Sequence, residues 1–181
     1  MKTDARVRYT LMKLKESFLV LLEKKPINKI TVKEVCELSE LNRATFYTHF
    51  TDCYDLLESI ENELIDDFKK SLQYVNSFDV THLVSAIYEM IERNENVCRV
   101  LVFENANASV IKKMITIAHD QSIQSWRKLL TKASDSELEM LYTHLSNGLM
   151  HVVTEGYQCR DKTEVIAFVN RIVQSSMAAF K

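Results

Sequence analysis

The sequence is poor in the residues that reverse a chain. Among its 181 residues there are 2 glycines and 1 proline. Sheets and hairpins need such residues at their turns, because tight turns require unusual backbone angles. Most segments also place apolar residues three or four positions apart, which predicts amphipathic helices. We therefore predict an all-α fold.

The sequence also lacks the common signatures of catalysis. It has no glycine-rich phosphate loop, no metal-ligand cluster and no nucleophile motif. His144 and His151 lie seven residues apart, with Glu155 a turn further, but polar residues on a partly exposed helix are the simpler interpretation. We expect no enzymatic activity, no cofactor and no metal. The cysteines form no CxxC pair and are predicted to be free thiols: Cys36, Cys53, Cys98 and Cys159.

Long apolar runs are missing as well. No run approaches the roughly 18 residues that a membrane span requires. The first ten residues, MKTDARVRYT, contain no apolar core of a signal peptide. We expect a cytoplasmic protein.

Charge is unevenly distributed along the chain. Residues 1–50 contain 10 Lys/Arg and 6 Asp/Glu, whereas residues 51–181 contain 13 and 19. A basic first part on an acidic remainder favours a polyanionic partner for the N-terminal part. Random fluctuation is the alternative on charge alone.

Helix start and stop signals divide the N-terminal part into three helices. The first is predicted from about Asp4 to Glu23, and Pro26 ends it. The capping box TVKE, which begins at Thr31, starts a short second helix. Asn42 is a good N-cap for a short third helix. Further helices are predicted at about 51–74, 80–93, 96–103, 108–132, 136–159 and 163–180.

The third helix lies in an unusual stretch, LNRATFYTHF. Leu41, Phe46 and Phe50 are expected to face the core. The remaining outward side chains can reach base edges or phosphates: Arg43, Thr45, Tyr47, Thr48 and His49. Two short helices with a tight turn, braced by a longer helix, form a helix-turn-helix, whose second helix enters the DNA major groove. A plain three-helix bundle with a decorated face is the alternative.

Residues Ile30–Leu57, ITVKEVCELSELNRATFYTHFTDCYDLL, resemble the signature of the tetracycline-repressor (TetR)/AcrR family of bacterial transcription regulators. The likeness rests on the Ile-Thr opening, the Thr-Phe-Tyr-x-His-Phe run and the closing Asp-Leu-Leu. It covers roughly residues 6–60, about a third of the chain. The rest agrees in length and helical character.

The resemblance implies a helix-turn-helix DNA-binding domain over residues 1–52. A helical ligand-binding and dimerisation domain would follow over residues 53–181. It also implies that Tyr47 and His49 contact phosphates and that Arg43, Ala44 and Thr45 approach bases. Together with the residue pattern, the expected DNA-binding set is Thr31, Lys33, Asn42, Arg43, Ala44, Thr45, Tyr47, Thr48 and His49.

The sequence departs from the family at two positions. Members often carry lysine at the positions of Thr51 and Cys53, where the fourth helix meets the DNA backbone. Without these charges, phosphate affinity is either lower or depends on other basic residues: Lys2, Arg6, Arg8, Lys29 and Lys33.

The family's last two helices usually pair with their twins in a homodimer. The corresponding residues here are Leu145, Gly148, Leu149, Val152, Phe168, Val169 and Ile172. An intramolecular core is the alternative interpretation of these stripes. Effector-responsive members hold a small molecule beside the fourth helix. The matching apolar residues are Phe68, Leu72, Ile87, Met90, Ile91, Phe103, Met114 and Trp126, which core packing explains equally well.

The predicted function is that of a DNA-binding transcriptional regulator. It would bind a palindromic, double-stranded operator as a homodimer, with repression as the default and release by a small apolar effector. Two alternatives stay open, namely an activator of the same family and a helical protein-interaction adaptor that does not bind DNA.

Overall fold

The computed structural model describes residues 5–75, 79–104 and 108–181. Within these ranges every regular element is a helix, which confirms the predicted all-α fold. The predicted Asp4 start of the first helix and Lys2 lie outside the described residues. The α-helices are α1 (Ala5–Leu22), α2 (Val32–Ser39), α3 (Arg43–His49), α4 (Cys53–Ser71), α5 (Thr81–Arg93), α6 (Glu95–Cys98), α7 (Ala108–Leu129), α8 (Asp135–Cys159) and α9 (Lys162–Ala178).

Shorter helical segments complete the chain path. Ile27–Lys29 and Leu72–Tyr74 are 3₁₀ turns, and Arg99–Glu104 continues α6 as a π-helix. The fourth helix was predicted to reach residue 74, and its last turn is instead the tighter 3₁₀ form. None of the helices in the described ranges is long and apolar enough to cross a membrane.

Side chains within a few residues set the ends of α2 and α3. Thr31 caps α2 by accepting a hydrogen bond from the Glu34 N–H, and the Glu34 carboxylate accepts one from the Thr31 N–H. Asn42 caps α3, its Oδ1 accepting from the Ala44 N–H at 2.8 Å. These are the caps that the sequence predicts. They satisfy N–H groups that have no partner inside the helix.

The turn between α2 and α3 depends on one left-handed residue. Glu40 has φ 57° and ψ 33°, a conformation in which glycine is the usual residue. The Leu41 N–H donates to the Cys36 carbonyl at 3.0 Å and closes the end of α2. Because Glu40 has a Cβ, this turn carries a local strain of about 1 kcal/mol.

The chain divides into two compact units. Unit 1 comprises Met1–Leu64 and Asn96–Asn105, and unit 2 comprises Ile65–Glu95 and Ala106–Lys181. The boundary therefore falls inside α4. The predicted functional boundary after residue 52 coincides with the start of α4 and stays a prediction.

Unit 1 is built around the packing of α1 on α2 and of α2 on α3. Its fully buried side chains come from four helices and the π-helix: Leu14, Phe18, Val35, Phe46, Leu56, Ile60 and Leu101. An ion pair between Arg99 and Glu23 attaches the π-helix to the end of α1. A second ion pair joins Lys15 of α1 to Glu63 of α4.

Unit 2 packs α7 on α8, α8 on α9 and α5 on α9. Its innermost residues include Met114, Leu138, Val153 and Met177, each at most 1% exposed. The start of α5 is held by a side chain distant in sequence, because the Val80 N–H donates to Asn170 Oδ1 at 3.1 Å.

Burial in α2 does not follow side-chain polarity. Leu38 is 48% exposed, whereas Ser39 is only 5% exposed. Residues 35, 36 and 39 lie on one side of a helix with 3.6 residues per turn, and residue 38 lies off that side.

Candidate nucleic-acid interface and ligand cavity

Helix α3 is held in place by its aromatic side chains. Phe46 is fully buried and Phe50 is 6% exposed, with ring centroids 5.7 Å apart. A helix of seven residues is not stable alone in water, so this anchoring must supply most of its stability. The opposite face of α3 is thereby kept towards solvent.

The solvent face of α3 carries most of the predicted DNA-binding residues. Asn42, Arg43, Ala44, Tyr47 and Thr48 are exposed, and Tyr47 is 59% exposed. Its ring meets the Phe46 ring edge-on at 5.6 Å, which supports it from below. The other two predicted residues of this helix are half-buried, namely Thr45 and His49.

Some hydrogen-bonding groups of α3 are already in use. Thr48 Oγ1 donates to the Ala44 carbonyl at 2.9 Å, so this hydroxyl can accept a further hydrogen bond but is not free to donate one to a phosphate. The methyl group of Thr48 is the part of the side chain that is left to contact DNA. Asn42 uses its carbonyl oxygen as the cap and keeps its amide NH₂ group for an outside acceptor.

The start of α2 is occupied by a carboxylate. Thr31 N–H and Thr31 Oγ1 both donate to Glu34 Oε2, at 3.0 and 2.8 Å, and Lys25 Nζ donates to Glu34 Oε1 at 2.5 Å. The hydrogen bond from Lys25, followed by those from Thr31, lowers the pKa of Glu34 from 4.5 to about 2. A phosphate that contacts Thr31, one of the predicted DNA-binding residues, would therefore have to displace Glu34.

Lys33 remains accessible beside this cap. Its Nζ lies 3.7 Å from Glu37 Oε1, and both side chains are more than 60% exposed. Such a surface pair contributes less than about 1 kcal/mol. It can give way to a phosphate.

Family members often carry lysine at the positions of Thr51 and Cys53, and the structure places these two residues differently: Thr51 is exposed and Cys53 is buried. Cys53 is only 5% exposed and lies in the core, because it shares a helix face with the buried Leu56 and Ile60. Burial raises the pKa of the Cys53 thiol to about 11. The exposed side holds carboxylates instead, since Thr51 N–H donates to Asp55 Oδ2 at 2.7 Å and Asp52 Oδ1 accepts from two N–H groups.

Unit 2 contains a cavity of about 80 Å³. Four of the predicted pocket residues line it: Phe68, Leu72, Ile87 and Trp126. Met90, Ile91 and Met114 are buried outside this lining, and Phe103 belongs to unit 1. Residues of α7 and α8 that the prediction missed complete it, including Ala118, Ser122, Tyr142, Ser146, Leu149 and Met150. Ser122 and Ser146 are single serines among the apolar lining residues of α7 and α8, which is the signal that the sequence offered.

The cavity has few polar atoms. Ser122 Oγ donates to the Ala118 carbonyl at 2.8 Å, and the Tyr142 hydroxyl donates to the Ile115 carbonyl. Ser146 Oγ is buried and makes no hydrogen bond of normal length and angle. Burial raises the pKa of Tyr142 to about 12, against a smaller opposing effect of the nearby Ser146 hydroxyl. The cavity wall is therefore uncharged, with one unsatisfied hydroxyl.

The predicted dimer residues lie together on α8 and α9. A groove of about 180 Å³ runs between these helices and is lined by Leu145, Gly148, Leu149, Val152, Phe168, Val169 and Ile172, among others. Phe168 and Ile172 are each 42% exposed, although both are large and apolar. Exposed apolar patches of this kind are typical of interaction surfaces.

No protein-family model matches the sequence, and no curated protein matches it. The solved structures that match include the following three, each with a probability of 1.00. The "Dihydroxyacetone kinase operon activator DhaS" is 15% identical with TM-score 0.61, over 95% of this chain and 98% of that one. The "fatty acid degradation regulator FadR from Bacillus halodurans" is 11% identical with TM-score 0.63, over 96% of both chains. A "transcriptional regulator (TerR/AcrR family) from Aquifex aeolicus VF5" is 15% identical with TM-score 0.59, over 91% and 98%.

This chain shares its all-helical fold with these three proteins. The likeness extends along nearly the whole chain, beyond the Ile30–Leu57 stretch that carries the sequence signature. Within this fold, α2 and α3 are two short helices joined by the tight turn at Glu40. Across the described ranges, no three His, Cys, Asp or Glu side chains are arranged to hold a metal ion.

Proposed function

We propose that this protein is a DNA-binding transcriptional regulator that binds a palindromic operator as a homodimer. The observation that carries the proposal is the orientation of α3. Its phenylalanines anchor one face in the core, while Arg43, Ala44 and Tyr47 are exposed on the other. The TetR-like fold and the basic character of residues 1–50 support it.

The exposed residues of α3 suit different parts of DNA. Arg43 forms no ion pair with the described carboxylates, so its guanidinium can bind guanine or a phosphate. Ala44 and the methyl group of Thr48 can meet the methyl group of thymine. Tyr47 and the half-buried His49 are assigned to phosphates. Further contacts with DNA at the edges of this face are assigned to Asn42, Thr45 and Lys33. Thr31 would contact DNA only when a phosphate displaces the Glu34 carboxylate.

We assign the dimer interface to the α8–α9 groove. A second copy would cover the exposed Phe168 and Ile172, and Gly148 would allow two helices to approach closely. A two-fold dimer would place two α3 helices in successive major grooves, about 34 Å apart. A monomer at micromolar concentration in sedimentation velocity would contradict this assignment.

Regulation is assigned to the cavity in unit 2. Phe68, which lines it, lies in the last turn of α4, and Leu72 follows directly after that helix. The other end of α4 starts at Cys53, shortly after α3. A ligand that shifts α4 would change the spacing of the two recognition helices and weaken operator binding. We expect the protein to repress transcription and the ligand to relieve that repression.

The decisive experiment is a genomic selection. Purified protein is mixed with fragmented DNA from its source, and retained fragments are sequenced for wild type, Tyr47→Ala and Tyr74→Ala. Tyr74 is the matched control, because it is 41% exposed but lies outside α3. We expect a palindromic site for wild type and Tyr74→Ala. Tyr47→Ala should lose one hydrogen bond to a charged group in each half-site, about tenfold per half-site and therefore roughly a hundredfold for the dimer.

Salt dependence separates a regulator from a protein-interaction adaptor. Phosphate contacts make the affinity fall steeply as salt concentration rises. A palindromic site with such a slope supports the proposal. Absence of any enriched fragment at low salt, from a protein confirmed to be dimeric, would contradict it.

A further inference from the structure

We infer that the cavity in unit 2 binds a small uncharged molecule that carries one oxygen-bearing polar group, as a short alcohol does, and that Ser146 binds that group. That this molecule is also the effector of the regulator is the one part of the inference that rests on the proposed function. The binding itself requires no DNA.

The size of the cavity restricts its ligand. Its volume is about 80 Å³. An apolar cavity of about 150 Å³ is known to hold benzene, whereas sites for drug-sized molecules start at about 300 Å³. The observed volume is about half of that benzene-binding volume and therefore fits a molecule smaller than benzene.

The chemistry of the wall excludes charged ligands. The lining contains no Asp, Glu, Lys, Arg or His. An isolated carboxylate or ammonium in such surroundings would lose its hydration without gaining a partner of opposite charge. The aliphatic part of an uncharged molecule can instead pack against Leu72, Ile87 and Leu149.

Ser146 supplies the polar contact. Its Oγ is buried and has no hydrogen bond of normal geometry, whereas the other lining hydroxyls, Ser122 and Tyr142, both donate to backbone carbonyls. A buried polar group without a partner is costly, so a ligand oxygen at this point would remove that cost. Tyr142 keeps acceptor capacity beside it and can take part when the ligand is an alcohol.

The test uses the single tryptophan of the chain. Trp126 lines the cavity, so its fluorescence reports binding at this site. Full-length protein is titrated with n-butanol, propionate and n-butylammonium, which each have five non-hydrogen atoms but differ in charge. We expect a saturable change with n-butanol and at least tenfold weaker binding of both ions, since burying an unpaired charge costs far more than burying a hydroxyl.

Three variants test the residues. Ser146→Ala should weaken n-butanol binding about fivefold, because it removes one neutral hydrogen bond. Ser122→Ala is the matched comparison and should have a smaller effect, below about twofold, because its hydroxyl already donates to a carbonyl. Ala118→Leu should fill the cavity and abolish saturable binding, with circular dichroism to confirm that each variant is folded.

Several outcomes would overturn the inference. They are saturable binding that survives in folded Ala118→Leu, an ion that binds as well as n-butanol, equal effects of the two serine variants, and no saturable change in wild type. Because the assay contains no DNA, failure of operator binding leaves its result unaffected. Equally, failure here leaves the DNA-binding proposal intact.

Discussion

The two glycines of the chain are expected to respond in opposite ways to the same substitution. Both lie in α8, where glycine costs about 1 kcal/mol relative to alanine. A Cβ added at Gly148 would meet no atom within 4 Å, and the residue is exposed. Gly148→Ala should therefore stabilise each subunit by about 1 kcal/mol.

At Gly156 the added methyl group has no room. Its Cβ would lie 2.7 Å from Val165 Cγ2 and 3.3 Å from Val165 Cγ1. Val165 is 2% exposed and β-branched, so it cannot rotate away at low cost. Overpacking of about 1–3 kcal/mol offsets or exceeds the helix gain, so Gly156→Ala should destabilise unit 2 by up to about 2 kcal/mol.

Denaturant titration measures both effects, with Trp126 fluorescence reporting on unit 2. Equal stability of Gly148→Ala and Gly156→Ala would refute the packing argument. Gly148 also lies in the proposed dimer interface, where a methyl group would hinder close approach. Sedimentation should therefore show a weaker dimer for Gly148→Ala, although its subunits are more stable. An unchanged dimer would refute the close approach at this residue.

Three further substitutions test local features. The pKa of Glu34 is lowered from 4.5 to about 2, so its stabilising contribution is present above pH 4.5 and is lost as pH falls towards 2. In urea titration at pH 7, Glu34→Gln should therefore be less stable than wild type. Between pH 5 and 2 the variant should lose less stability than wild type does. Glu40→Gly should stabilise unit 1 by about 1 kcal/mol at the left-handed turn, and a loss of stability would contradict the strain. His119 contacts Glu139 at 2.8 Å and Asp120 at 2.9 Å, and these carboxylates raise its pKa above 6.5. The stabilising contribution of the charged imidazole is present below pH 6.5 and is lost as pH rises through the higher folded pKa. In His119→Gln the free energy of unfolding of unit 2 should therefore depend less on pH over this range, and an unchanged pH profile would contradict the expectation.

Much of the fold could be predicted because helix ends are local events. Thr31 and Asn42 were predicted as caps, and both act as caps, since each needs only a partner two or three residues away. Helix periodicity likewise predicted which side of α3 is buried, because the large aromatic side chains can satisfy only one side of so short a helix.

The cavity could be predicted only in part. Apolar side chains at helical spacing are found equally in a solid core and in a cavity wall, so Phe68 and Trp126 could not be separated from Met90 and Met114 by pattern. Which of them border empty space depends on how side chains of different helices fill the region between them. Ser146 was missed because a single serine on an amphipathic helix is common.

The sequence by itself determined the class of fold, the caps and the exposed, polar face of α3. Each of these depends on side chains separated by a few residues and on the period of the helix. Only the tertiary structure decided that Cys53 is buried, that Asn96–Asn105 belongs with the first 64 residues, and that Gly156 is crowded while Gly148 is open. These features depend on packing between segments far apart in the chain, and no local pattern encodes which surfaces will meet.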